Sequence, residues 1–123
     1  MVSVADVRKL AASIVGAADE STDVRLAFSA GGKSFAWTFM RRPAPKAKRV
    51  PDLGVLAVSC TIESKHMLIE AAPDIYFDDD RYRGYPAILV RLDAIGKREL
   101  GALLKAACML KQSGPRRRKR AAP

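Results

Sequence analysis

The chain has 123 residues, 49% of them hydrophobic, which suits one domain with one core. Its formal charge of +9 comes from 22 lysines and arginines against 13 acids, and no stretch approaches the ~18 apolar residues of a membrane span. One histidine and two cysteines give neither a metal-ligand pattern nor a disulfide framework, so a soluble, unexported, cytoplasmic protein with buried reduced thiols and no cofactor is expected.

The N-terminal segment SVADVRKLAASIVG carries Val4, Val7, Leu10, Ala11 and Ile14 at helical spacing. Ser3 and Asp6 stand where an N-cap and its capping-box partner belong, and Gly16 is a stop signal. After the polar loop AADESTD, VRLAFSA alternates Val24, Leu26 and Phe28 with small or polar residues. A Gly31-Gly32 turn then leads into KSFAWTFM, where Phe35, Trp37 and Phe39 alternate, so a β-hairpin is predicted with those three aromatics on one face. Arg41 to Pro51 reads as a loop, because Pro43, Pro45 and Pro51 lack the donors a central strand needs.

LGVLAVSC is apolar on both alternating faces and predicts a central strand. Thr61 caps a helix through IESKHMLIEAA that Pro73 closes. DIYF is a short strand, DDDRYRGYP a turn for which Gly84 supplies the backbone freedom, and AILVRL the last strand, with Ile88, Val90 and Leu92 facing inward. In GKRELGALLKAACMLK, Leu100, Leu103, Leu104, Ala107 and Leu110 form one helical stripe. The fold predicted is α+β, a mainly antiparallel five-stranded sheet with helices packed on one face, in the order α-β-β-β-α-β-β-α. It forms a single domain over residues 1–111, followed by a disordered basic tail at 112–123, where apolar periodicity stops and like charges repel.

The basicity is local. RRPAPKAKR and PRRRKR each hold five positive charges and no acid; taking those ten from the 22 leaves 12 bases against 13 acids. Two acid-free clusters on a balanced body are the pattern of phosphate contact or of a solubilising tail.

Catalytic equipment is sparse. His66 sits mid-helix without a partner for acid–base work, and Asp78, Asp79 and Asp80 lack the interleaved ligands of a calcium loop. Gly31-Gly32-Lys33 opens a strand, not the helix whose N-terminus holds an anion in a phosphate loop. Phe28, Phe35, Trp37 and Phe39 read first as a core face, with the stacking surface of a single-strand binder as the lesser alternative. Tyr82 and Tyr85 either cover the edge of the core or lie over a bound partner. Interleaved with Arg81 and Arg83, they form the one compact patch inside the domain suited to nucleic acid.

FSAGGKSFAW, LIEAAPDIYF and YRGYPAILVRLDAI, with the leucine-rich final helix, resemble the MmcQ/YjbR-like family over Asp23 to Lys111. The resemblance implies a fold similar to the CyaY-like α/β sandwiches and a double-wing DNA-binding motif in a small bacterial cytoplasmic protein, with no catalytic residues. It falls on Gly32, Lys33 and Phe35 in the hairpin and on Tyr82, Gly84 and Tyr85 in the turn; where many relatives carry a histidine–tryptophan pair, this chain has Tyr85-Pro86. The expected function is non-catalytic DNA binding, with phosphates held by Arg41, Arg42, Lys46, Lys48 and Arg49 and further contact from Arg81, Tyr82, Arg83 and Tyr85. The alternative is a protein–protein adaptor using the same loop and turn.

Overall fold

The computed structural model describes residues 2–22, 24–41, 44–79 and 82–121, with side chains as far as Gln112. Arg42 and Arg81 therefore lie outside the described residues. Among the described residues three helices, α1 (Val4–Ala12), α2 (Ile62–Ala71) and α3 (Lys97–Ala121), accompany six strands: β1 (Ala18–Asp19), β2 (Ala27–Ala30), β3 (Lys33–Arg41), β4 (Val50–Ser59), β5 (Tyr76–Phe77) and β6 (Ala87–Arg91). The strands form one antiparallel sheet in the order β1-β2-β3-β4-β6-β5.

The class is the α+β one read from the sequence, but the sheet has six strands instead of five. The additional strand, β1, comes from the polar AADESTD segment, where Ala18 pairs with Ser29 and Asp19 with Phe28 at the sheet edge. Both residues are exposed, so no buried face marked them in the sequence. Val24, grouped with Leu26 and Phe28 by alternation, precedes β2 and is 60% exposed.

Local signals account for the element ends. At α1, Ser3 Oγ accepts from Asp6 N while Asp6 Oδ2 accepts from Ser3 N, each at 3.1 Å, completing the capping box. Thr61 caps α2 through Ser64 N, and Ala72, ahead of Pro73, has left helical geometry. Gly31 and Gly32 make the β2–β3 turn with φ of 61° and 81°, values that carry a steric penalty for residues with a Cβ. The backbone of α3 is helical to Ala121, over the segment for which the sequence predicts a disordered tail.

All three helices lie against one face of the sheet. Val7 and Ala11 of α1 and Leu100, Leu104, Ala107 and Cys108 of α3 pack on Phe28, Phe35, Leu56, Val58, Ile88 and Val90, with Leu68 and Ile69 of α2 at the margin. Fully burying one such leucine or phenylalanine stabilises the fold by roughly 1.5–3 kcal/mol. Tyr76 of β5 is also buried here and donates its hydroxyl to Glu99 Oε2 of α3; burial, reinforced by that carboxylate, raises its pKa.

A β-bulge sets which aromatics belong to this core. Phe28 pairs with Ala36 but Ser29 with Ser34, so Phe35 is an extra residue on β3. Phe35 and Ala36 consequently both face the helices, and Trp37 and Phe39 turn to the opposite side. Alternation alone had placed all three aromatics together; the inserted residue reverses the face after it.

A candidate nucleic-acid interface on the helix-free face

The face away from the helices gathers Phe39, Ala57, Ala87 and Leu89 with half-buried Trp37, Val55 and Phe77, and the Tyr82 ring covers them. Arg91 of β6 lies on the same side, its guanidinium carbon 4.0 Å from the Phe77 ring centroid. Two features border this face.

The first is an arm made by the ends of β3 and β4. Between Thr38 and Phe39 the pairing partner jumps from Leu56 to Asp52, after which Met40 pairs with Pro51 and Arg41 with Val50. The segment expected to be a loop from Arg41 to Pro51 is therefore strand at both ends, and its tip, among the described residues, spans 44–49. Pro51 lies outside Val55–Ser59, the part of β4 that also pairs with β6, so the strand has only one paired edge there and a proline can be tolerated. The basic residues divide into two kinds. Arg49 is half-buried and donates from Nη1 to Met40 O at 2.9 Å, and Arg41 Nε is 3.8 Å from Asp52 Oδ2. Lys46 and Lys48 are exposed at the tip.

The second is the turn that follows β5. Tyr85 N donates to Tyr82 O at 2.9 Å, and Gly84, at φ 75°, takes the left-handed position of this turn. Tyr82 is 7% exposed: its ring lies 6.0 Å from Phe39 and edge-on to Tyr85 at 5.7 Å, and its hydroxyl accepts from Trp37 Nε1 at 2.9 Å. Tyr85 is 48% exposed. The two readings open for these tyrosines thus separate: Tyr82 covers the core's edge, and Tyr85 presents its ring outward. Arg83 between them is exposed.

Lys65 holds this turn in place, and nothing in the sequence pointed to it. Its side chain is 1% exposed, and Nζ lies 2.6 Å from Tyr82 O, 3.0 Å from Tyr85 O and 3.0 Å from Asp78 Oδ1. The ammonium's three donors thus meet three acceptors, which is the condition for burying such a charge without a large penalty. Asp79 Oδ1 accepts from Tyr82 N at 3.0 Å, so the first two acids of the triplet act as turn fasteners. Asp80 lies outside the described residues.

Trp37, Tyr82, Tyr85 and Ser34 line a cavity of about 380 Å³ on this face. A second cavity of about 370 Å³, between α2 and α3, has Cys60, Met67, Leu68 and Leu103 among its lining and, among the described residues, no charged side chain. Burial, with the Asp78 charge adding to it and Lys65 opposing it, pushes the Cys60 thiol up to about 11, so it is protonated and unreactive at neutral pH. Cys60 and Cys108 are both free and buried. His66 is exposed on α2. Among the described residues no group of three histidine, cysteine or acidic side chains is arranged to hold a metal, and no helix is long and apolar enough to cross a membrane.

No family model and no curated protein matches the sequence. The fold is similar to that in a crystal structure of Deinococcus radiodurans protein DR2400, whose domain is assigned to DUF419, the MmcQ/YjbR-like family. The TM-score is 0.67 at 19% sequence identity, over 93% of this chain and 82% of that one, a likeness of fold.

Proposed function

We propose that the chain is a divergent MmcQ/YjbR-like protein and a non-catalytic DNA-binding module that grips phosphates with the β3–β4 arm. The observation that carries this reading is the acid-free basic tip, with Lys46 and Lys48 exposed, on an arm whose base packs against the Tyr82 turn. Arg49 and Arg41 stiffen the arm through Met40 O and Asp52, so its charges lose less freedom on docking than those of a flexible polycation. Ammonium and guanidinium groups so presented release counterions from DNA, and that release drives the binding.

The test compares two variants with equal charge loss. One neutralises Arg41, Arg42, Lys46, Lys48 and Arg49; the other deletes Ser113 to Pro123, which also removes five positive charges. Titration of labelled duplex and single-stranded DNA at two salt concentrations should show the arm variant losing the larger share of affinity. On duplex DNA its log–log salt slope should flatten by about 0.9 for each phosphate that the arm no longer neutralises. Equal losses would mean a diffuse polycation. Salt-insensitive or absent binding by the parent chain would reject the reading in favour of a protein partner held by the same surface.

A further inference from the structure

We infer that the cavity between Trp37 and the Tyr82–Tyr85 turn is a slot for one unpaired nucleobase, so the strand that the basic arm holds is a single strand. This rests on the phosphate-binding reading above and specifies what it binds. Three rings surround the slot, and its volume of about 380 Å³ falls within the 300–1,000 Å³ common to small-ligand sites. Tyr85, at 48% exposure, offers a flat ring to solvent although it packs edge-on against Tyr82. A solvent-facing aromatic held rigidly by its neighbours is the arrangement on which bases stack with little loss of side-chain freedom.

The slot also has polar groups for a base edge. Tyr82 Oη accepts from Trp37 Nε1 and keeps its own proton to donate, and the Ser34 hydroxyl both donates and accepts. Of the acids beside the slot, Asp78 is paired with Lys65, while Asp79 accepts from Tyr82 N and keeps its charge. Trp37, Phe39 and Arg41 follow one another on the same side of β3, which puts the start of the basic tip roughly 14 Å from the indole along the strand. A duplex cannot use the slot without flipping a base out, which carries an unstacking penalty a single strand avoids.

Trp37 is the only tryptophan, so its emission reports this slot alone. The full chain is titrated with a thymidine 12-mer, an abasic 12-mer of equal phosphate number, a duplex of that length and a uridine 12-mer. The thymidine strand should quench Trp37 and bind more tightly than the abasic strand and the duplex. Quenching by the uridine strand would support the slot equally, and the tighter of the two identifies DNA or RNA as the source of the base. Tyr85→Ala, at an exposed position, should keep its melting temperature and lose about 5- to 100-fold in affinity for the thymidine strand but none for the abasic one. Tyr85→Phe should bind as the parent does. Equal binding of abasic and thymidine strands with no quenching would overturn the slot and leave the phosphate reading standing. Failure of every oligonucleotide to bind at physiological salt would overturn both.

Discussion

The two faces of the sheet are stabilised by different physics. The helix-covered face is a continuous apolar layer in which Val7, Phe35, Leu56, Val58, Ile88, Leu100 and Leu104 are fully buried. The opposite face has a thinner apolar patch, and its order comes from directed bonds: Lys65 to two carbonyls and Asp78, Trp37 to Tyr82, and Tyr82 to Asp79. Apolar burial is non-directional and closes the groups it orders off from solvent, whereas a bonded framework can hold rings and charges rigid while leaving them open to solvent. The candidate interface belongs to the second face for that reason.

The largest effect should come from the covered face. Leu104→Ala empties space in a layer with no solvent access and should destabilise the chain by about 2–5 kcal/mol in chemical denaturation. Leu103→Ala should do less, since Leu103 is only partly buried at the edge of the α2–α3 cavity. A larger loss at Leu103 would mean that the α3 stripe is rotated from the one described.

Lys65→Met tests the other face. It strands two carbonyls and a carboxylate at once and should destabilise by on the order of 3 kcal/mol. It should also shift Trp37 emission, because the Tyr82 hydroxyl moves with the freed turn. If stability and emission both match the parent, the turn is held by ring packing and not by the ammonium.

A smaller effect is expected at the Trp37–Tyr82 bond. Tyr82→Phe leaves the indole N–H without its acceptor and should destabilise by about 0.5–1.5 kcal/mol, with water compensating in part at the half-buried indole. In a double-mutant cycle with Trp37→Phe, the second change should then add less than it does alone. Strict additivity would count against the bond.

The smallest effect is a pH dependence in α1. The Ser3 N–H bond, opposed by partial burial and aided by Lys97 with Nζ 3.5 Å away, lowers the pKa of Asp6 below its ordinary 3.8. A carboxyl more acidic in the folded than in the unfolded chain adds stability that is fully present above that ordinary value and is lost as pH falls through the lowered one. Thermal melts across the acid range should show a slightly flatter loss for Asp6→Asn than for the parent. Identical pH profiles would remove Asp6 from the titrating groups that matter.

Much of the fold was legible because its signals are local. The Ser3–Asp6 box, the Gly31-Gly32 turn, the Pro73 stop and the leucine stripe of α3 act through residues a few positions apart, and each forms where the sequence predicts it. The apolar run of β4 was also sufficient to predict a strand covered on both sides, with Leu56 and Val58 under the helices and Ala57 under Tyr82. Of the proposed site, the basic residues and the two tyrosines were visible as composition.

Tertiary structure decided which of those residues can act together. One extra residue at Phe35 sends Trp37 to the face of Tyr82 and Tyr85, and period-two alternation carries no mark of such a bulge. Nothing local marks Lys65, since its partners lie 13 to 20 residues away and burial of an ammonium is determined wholly by what the chain brings to it. The same holds for β1, whose two exposed residues become a strand only because the edge of β2 offers unpaired backbone groups. Local chemistry wrote the elements; the register of distant strands assembled the slot and the arm.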